Sequence, residues 1–72
     1  MNHTYLKTLV VGTSDKGVTD AVQNGLNRAA QTLRRLDWFE VVQIRGQIVD
    51  GDIREVQVTM KVGFRLDDSD QL

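Results

Sequence analysis

Residues 36–48, LDWFEVVQIRGQI, form the stretch that decides the fold of this 72-residue chain. Their apolar side chains occupy odd positions at Phe39 and Val41 and even positions from Ile44 onward. Alternation of this kind is typical of a β-strand that buries one face, and one extra residue near Val42–Gln43 reconciles the two parities. We therefore predict a strand with a β-bulge, in which Phe39 and Val41 face the core.

The predicted strand sends Trp38 to the opposite face. Trp38 is the only tryptophan of the chain, which otherwise contains one tyrosine and two phenylalanines. A large aromatic side chain on an exposed sheet face is typical of a contact with a ligand or with another protein. The function is therefore to be sought on the sheet face that carries Trp38.

The segments on either side complete a β-α-β-β order. Residues 5–13 and 55–66 alternate between apolar and polar side chains, which predicts two further strands. Between the first two strands, apolar residues spaced by three and four predict a helix of about five turns over residues 18–36. Gly25 inside this helix indicates a close approach by a neighbouring backbone. The acidic segment DDSD at residues 67–70 predicts a frayed tail.

Antiparallel pairing places the last strand between the other two, with the helix covering one face of the sheet. The predicted fold class is α+β, and one domain covers residues 1–72. The sheet face that points away from the helix, called the outer face below, is left bare. A bare sheet face in a small protein is where a binding site is expected.

A three-residue turn at residues 50–52 sets the register of the last two strands, with Val49 opposite Ile53. This register keeps every apolar pair on one face, as burial of that face requires. Two further pairs follow from it: Arg45 with Gln57, and Trp38 with Gly63. The candidate binding residues of the outer face are then Trp38, Arg45, Gln57 and Arg65, with Gly63 leaving room beside the indole.

The length and net charge of the chain predict an oligomer and exclude some classes of function. A 72-residue chain without cysteine buries only a small core, so the sequence predicts stabilisation by assembly into an oligomer. Nine basic and ten acidic residues give a net charge of −1, which opposes nucleic-acid binding because phosphate contacts require a basic excess. No apolar run has the length of a signal peptide or a membrane span, so we expect a cytoplasmic protein without a membrane partner.

Residues 12–17, GTSDKG, have the two glycines of a phosphate-binding loop. Val18 and Thr19 replace the lysine and hydroxyl residue expected after the second glycine, so the main phosphate contact is missing. The loop is more typical of a turn in which Ser14 or Asp15 caps the helix. Without cysteine, and with no histidine near a serine and an acidic residue, the sequence predicts no catalytic residue, no metal site and no enzyme activity.

Two interpretations of Trp38 are open at this point. The first is a buried contact in an oligomer, because tryptophan is a frequent interface anchor. The second is a stacking platform for a flat aromatic ligand. Gln57 can donate to and accept from the edge of a heterocycle, and Arg45 and Arg65 can stack or bind phosphate. Together these residue types suit a planar ligand with polar edges, with or without a phosphate group.

Several stretches of the sequence resemble bacterial members of the dodecin family: LVVGTS at 9–14, LDWFEV at 36–41, IRG at 44–46, VQV at 56–58 and VGFRL at 62–66. The resemblance extends over nearly the whole chain. It implies a β-α-β-β protomer whose sheet wraps the helix, assembled as a hollow dodecamer with cubic symmetry. Such a homo-oligomer holds flavins in pairs at its two-fold interfaces.

The resemblance also implies roles for the candidate residues. Trp38 would stack on the isoalloxazine ring of the flavin, Gln57 would hydrogen-bond its pyrimidine edge, and Arg45 would flank the pocket. The expected cofactor is FMN or riboflavin; similar proteins also hold coenzyme A, for which Arg65 and Arg28 are candidates. The implied function is flavin storage and photoprotection by electron transfer from the indole. The alternatives are a purely structural shell and a nucleic-acid-binding sheet face.

Overall fold

Three strands and one helix make up residues 2–66, which are the part of the chain that the computed structural model describes. In chain order they are strand β1 (Thr4–Ser14), helix α1 (Val18–Ala29), strand β2 (Leu36–Val49) and strand β3 (Asp52–Leu66). β3 lies between β1 and β2 and pairs antiparallel with both. The predicted α+β class and element order are confirmed. The predicted acidic tail at residues 67–70 lies outside the described residues.

Helix α1 is shorter than predicted, because it ends at Ala29 and not at residue 36. Beyond it, the amide of Thr32 donates to the carbonyl of Ala29 at 3.0 Å, which tightens the last turn. Arg35 then adopts a φ of 59° and leads the chain into β2. The apolar spacing continues to Leu36, but this residue pairs with Phe64, so strand pairing prevails over the helical pattern. No helix in the described part of the chain has the length and apolar character to cross a membrane.

The loop before α1 is held together by the buried side chain of Ser14. Its hydroxyl donates to Asp20 at 2.6 Å and accepts from the amide of Lys16 at 2.8 Å. Gly17 is the N-cap residue, and no side-chain cap bonds the first turn of α1. The prediction that Ser14 or Asp15 caps the helix is therefore wrong. Ser14 ties the loop to the helix through a carboxylate of the first turn instead.

α1 packs closely on the sheet where Gly12 and Gly25 meet. A Cβ atom on Gly12 would overlap the carbonyl oxygen of Ala21, and one on Gly25 would lie 3.2 Å from the Cα of Gly12. The missing side chains let the two backbones approach, which confirms the close contact predicted at Gly25. The core between the helix and the sheet consists of the buried apolar side chains of Ala21 and Ala29 from α1 and of Val58, Met60 and Val62 from β3.

β2 pairs with β3 in the predicted register over most of its length. The predicted bulge is present as a register shift between Val41 and Gln43. The two predicted pairs of the outer face are also present: Arg45 with Gln57, and Trp38 with Gly63. The parity argument from the sequence therefore holds on both sides of the bulge.

The turn between β2 and β3 is tighter than predicted. Its two residues, Asp50 and Gly51, have φ angles of 53° and 82°, as the common two-residue hairpin turn requires. Val49 therefore pairs with Asp52 and not with Ile53. The pairing has two further register shifts, one between Leu36 and Trp38 and one between Gln47 and Ile48; the latter leaves Arg54 as an extra residue in β3, which makes a bulge near the turn. This bulge offsets the shorter turn by one residue, so the register beyond it is the predicted one.

The helix side of β2 is not covered within the chain. Four apolar residues form this surface, called the β2 apolar strip below: Phe39, Val41, Ile44 and Ile48. Their exposed fractions are 46%, 41%, 55% and 72%, because α1 packs mainly on β1 and β3. Phe39 and Val41 thus point to the predicted side, but the prediction that the chain buries them is wrong. Burial of the strip requires contact with another molecule.

Candidate functional site

Trp38 lies on the outer face of the sheet, directly over Gly63 of β3. A Cβ atom on Gly63 would overlap the indole atoms Cε2 and Cζ2 and would lie 2.7 Å from Cη2. These three atoms are consecutive in the six-membered ring, so the Cβ would point into the face of the ring and not at its edge. One face of the indole therefore rests on the β3 backbone, and the residue remains 39% exposed.

Tyr5 of β1 packs edge-on against Trp38. The ring centroids are 4.8 Å apart and the ring planes make an angle of 66°. Aromatic pairs prefer this arrangement, and it restricts the tilt of the indole. Tyr5 is not among the predicted site residues, although its odd position in β1 places it on the outer face. The contact itself depends on the alignment of β1 with β3, which the sequence pattern does not specify.

Arg65 lies at the same end of the sheet. Its amide donates to the carbonyl of Arg35 at 3.1 Å. Its side chain lines a shallow depression together with Arg35, Leu36 and Asp37. Two guanidinium groups beside one carboxylate suit a ligand that carries phosphate. This end of the sheet therefore combines an open aromatic ring with a cationic depression.

Arg45 and Gln57 form a second group on the outer face, nearer the β2–β3 turn. They line an open depression of about 330 Å³ together with Gly46, Gln47 and Glu55. The side-chain amide of Gln57 donates from Nε2 to Oε1 of Glu55 at 3.4 Å. Glu55 is not among the predicted site residues, although its place two residues before Gln57 in β3 puts it on the same face.

The two groups lie far apart in one chain. Gly63, under the indole, and Gln57 are separated by six positions in β3, which corresponds to about 20 Å at ~3.3 Å per residue. Between them, Lys7 and Glu40 form an exposed ion pair at 3.4 Å across β3, of a kind that contributes little to stability. One planar ligand does not reach from Trp38 to Gln57 of the same chain. The two groups are therefore separate places on the outer face of one chain.

Arg28 belongs to neither group. It lies in the last turn of α1, where its Nη1 donates to Thr32 Oγ1 at 3.1 Å and the side chain is exposed. Within residues 2–66, no three His, Cys, Asp or Glu side chains form a group able to hold a metal ion. The candidate site is thus built from an aromatic ring, an amide and guanidinium groups.

Comparison with protein families accounts for almost the whole described chain. The model of the Dodecin family matches residues 4–67. This chain belongs to the dodecin family. The resemblance in the tryptophan segment and the flanking strands is therefore confirmed, and the β-α-β-β topology follows the same assignment.

Known dodecins are similar to the chain in sequence and in fold. The Dodecin of Thermus thermophilus is 49% identical over 69 residues, which are 96% of this chain and 100% of that protein. A solved dodecin from Streptomyces davaonensis has a TM-score of 0.90 and 65% identity, covering 94% of this chain and 100% of that one. Solved R45A, R65A and W38F mutants of the T. thermophilus dodecin match with a TM-score of 0.88 and 48% identity, over 93% of this chain and 98% or 100% of theirs.

Proposed function

We propose that this protein binds FMN or riboflavin and stores it in a form whose fluorescence and photoreactions are suppressed. The isoalloxazine ring stacks on the open face of Trp38, and the Arg45–Gln57 group of a second copy binds the polar edge of the ring. The indole donates an electron to the excited flavin, and return of that electron to the indole restores both ground states before the flavin emits or reacts. The activity is binding in the cytoplasm without turnover, so no residue has a catalytic role.

The geometry of the indole carries this proposal. Its inner face rests on β3 at Gly63 and its side meets Tyr5, so the ring is held in place before a ligand arrives. A side chain ordered in advance loses little freedom on binding, which favours stacking on its open face. The W38F, R45A and R65A mutants of the Thermus dodecin replace one tryptophan and two arginines that have the same numbers as Trp38, Arg45 and Arg65 here.

The distance between Trp38 and Gln57 supports a site shared by two copies. In a two-fold interface every contact occurs twice, so where the Trp38 end of one chain lies against the Gln57 end of the other, the reverse contact is present as well. Two flavins then lie side by side between two indoles. This arrangement supplies each ring with a stacking surface from one copy and an edge partner from the other.

The β2 apolar strip supports assembly into a homo-oligomer, which we propose is a hollow dodecamer. The Cα radius of gyration is 14.8 Å. A compact chain of this length would have a radius of about 11 Å. The chain is thus extended and leaves contiguous apolar surface open, as proteins with an interaction surface do. Further copies of the same chain are the proposed cover.

We expect sedimentation velocity to show one species near twelve times the 8.1 kDa chain mass. Ile44→Asp places a charge in the strip and is expected to lower this mass, because an unpaired charge is costly in an apolar contact. Asn27→Asp, on the exposed surface of α1, adds the same charge outside the strip and is the control. A stable monomer or dimer of the parent protein at micromolar concentration contradicts the assembly.

Gln57 and Arg45 are expected to contribute differently to flavin binding. Gln57→Leu leaves the ring edge without a partner and is expected to weaken riboflavin and FMN equally, by about 1–3 kcal/mol. Arg45→Ala is expected to weaken FMN more than riboflavin, because the guanidinium attracts the phosphate, and the difference should shrink as salt rises. Titration of both flavins at two salt concentrations measures this. An equal, salt-independent loss for Arg45→Ala would make Arg45 a packing residue.

Coenzyme A is proposed as a second ligand on one observation. The depression beside Arg65 also contains Arg35, and paired guanidinium groups suit phosphate. Arg28 is the other candidate contact, at the exposed end of α1. Calorimetric titration of coenzyme A into the parent protein and into Arg65→Ala and Arg28→Ala tests these two residues separately.

The spectrum of the purified protein separates the proposal from its alternatives. A flavin store is expected to quench most of the fluorescence of added riboflavin. A purified protein that is colourless and does not bind added flavin would support a purely structural shell, in which Trp38 is an interface contact. Salt-dependent binding of single-stranded RNA would support the nucleic-acid alternative, which the net charge of −1 opposes.

A further inference from the structure

Glu55 contacts the side-chain amide of Gln57 on the outer face of β3. The distance from Gln57 Nε2 to Glu55 Oε1 is 3.4 Å, at the long end of hydrogen-bond distances. Both side chains are partly buried and line the same depression as Arg45. Within residues 2–66 the Glu55 carboxylate forms no ion pair. The amide of Gln57 is therefore its polar contact in this depression.

An ionised carboxylate selects one of the two orientations of a neighbouring amide. Because it only accepts hydrogen bonds, it attracts Nε2 of Gln57 and repels Oε1. With Nε2 turned toward Glu55, the amide presents Oε1 and its second N–H to the depression in a set order. The last torsion of a glutamine is broad and roughly two-fold, so without Glu55 a half-turn would exchange the two groups.

The order of these two groups matters to a flavin. The pyrimidine edge of isoalloxazine has one N–H between two carbonyl oxygens, so the amide can pair with the N–H and either carbonyl. We propose that Glu55 is a positioning residue, which decides the carbonyl that Gln57 engages and thereby the direction of the ring in the site. This inference rests on the proposed flavin function and deepens it.

The negative charge of Glu55 also partly offsets the positive charge of Arg45. This charge role and the positioning role have different consequences for flavin binding. A charge role acts on the phosphate of FMN and has no target on riboflavin. A positioning role acts on the ring, which both flavins share. Riboflavin is therefore the probe for the positioning role, and FMN reports the charge role.

A double-mutant cycle between Glu55→Gln and Gln57→Leu tests the proposal. Glu55→Gln keeps the size of the side chain but adds a donor, so it no longer selects the amide orientation. We expect it to weaken riboflavin binding about threefold to tenfold, the scale of one hydrogen bond. In the Gln57→Leu background the same change is expected to alter affinity by less than about twofold, because the amide through which it acts is absent.

The carbonyl stretching bands of bound riboflavin provide a readout that a general loss of stability does not reproduce. In the parent protein one of the two carbonyl bands is expected at lower frequency, because one carbonyl accepts from Gln57. In Glu55→Gln both amide orientations are populated, so both bands broaden. Asp52→Asn removes one charge from the same strand at the turn and is the matched control, with affinity and bands unchanged.

The outcomes separate this inference from the proposed function. Equal losses for Glu55→Gln in both backgrounds overturn the positioning role and leave the flavin site intact. If Glu55→Gln tightens FMN binding and leaves riboflavin binding unchanged, Glu55 has the charge role and not the positioning role. A parent protein that does not bind riboflavin overturns the proposed function, and the role of Glu55 with it.

Discussion

Alanine in place of Trp38 is expected to weaken riboflavin binding by about 1–3 kcal/mol, or about fivefold to 150-fold in Kd. The indole provides the stacking surface, and the contacts that remain act only on the edge of the ring. The flavin that still binds is expected to regain fluorescence, because its electron donor is absent. A fluorescence titration measures the affinity and the emission of the bound flavin in one experiment.

Trp38→Phe is the matched variant for this measurement. It keeps a smaller ring over Gly63 and is expected to retain part of the riboflavin affinity. Because phenylalanine is a poor electron donor, the bound riboflavin should remain fluorescent. Sedimentation of all three proteins must show the same oligomer, so that lost binding is not lost assembly. If Trp38→Ala binds riboflavin as tightly as the parent and quenches its fluorescence to the same extent, the stacking role is wrong.

Alanine in place of Gly63 is expected to displace the indole without removing it. The added methyl would point into the six-membered ring, and β3 is paired on both sides and cannot retreat. The indole must leave its place over the strand, so we expect a loss of riboflavin affinity approaching that of Trp38→Ala, about 1–3 kcal/mol. The emission of the single tryptophan should change as well, and it can be recorded without ligand.

Gly51→Ala is the control for this substitution. Nothing lies within 4 Å of a Cβ placed on Gly51, and its φ of 82° makes alanine cost about 1–2 kcal/mol in stability. It therefore introduces a local strain far from Trp38, and riboflavin affinity and tryptophan emission should stay as in the parent. An unchanged affinity and emission in Gly63→Ala would contradict an indole held against β3.

In the proposed mechanism, flavin binding and assembly depend on each other. Under this proposal the Trp38 group and the Arg45–Gln57 group, about 20 Å apart along β3, are two partial sites, so a complete site needs two copies. A ligand that binds the assembled form and not the free chain stabilises the assembly by mass action. Variants of the β2 apolar strip and variants of the flavin contacts therefore have to be compared by both oligomeric state and affinity.

The face that carries Trp38 could be predicted because side chains alternate between the two faces along a strand, except at a bulge. Once Phe39 and Val62 are assigned to the helix side, their neighbours must lie on the other. The register followed from the same rule, since a slip by one residue would turn Val58 and Met60 outward. The turn was predicted one residue too long, and the bulge at Arg54 compensated for it. Local deviations of this kind leave no trace in an apolar pattern.

The end of α1 could not be predicted from periodicity. The apolar spacing continues to Leu36 at helical intervals, but the chain leaves the helix after Ala29 and pairs Leu36 with Phe64. Both structures bury an apolar side chain, and the choice between them depends on a strand nearly thirty positions away in the sequence. Contacts of that range outweigh a local propensity.

The sequence by itself determined the family, the β-α-β-β order and the face on which Trp38 lies, because these follow from motifs and alternation within short segments. Only the tertiary structure decided that Tyr5 packs against the edge of the indole and that the carboxylate of Glu55 meets the amide of Gln57. The Glu55 contact lies within β3 and depends on the side-chain rotamers, whereas the Tyr5 contact depends on how three strands align side by side. That alignment results from hydrogen bonds and packing among all of them, so no single segment of the sequence encodes it.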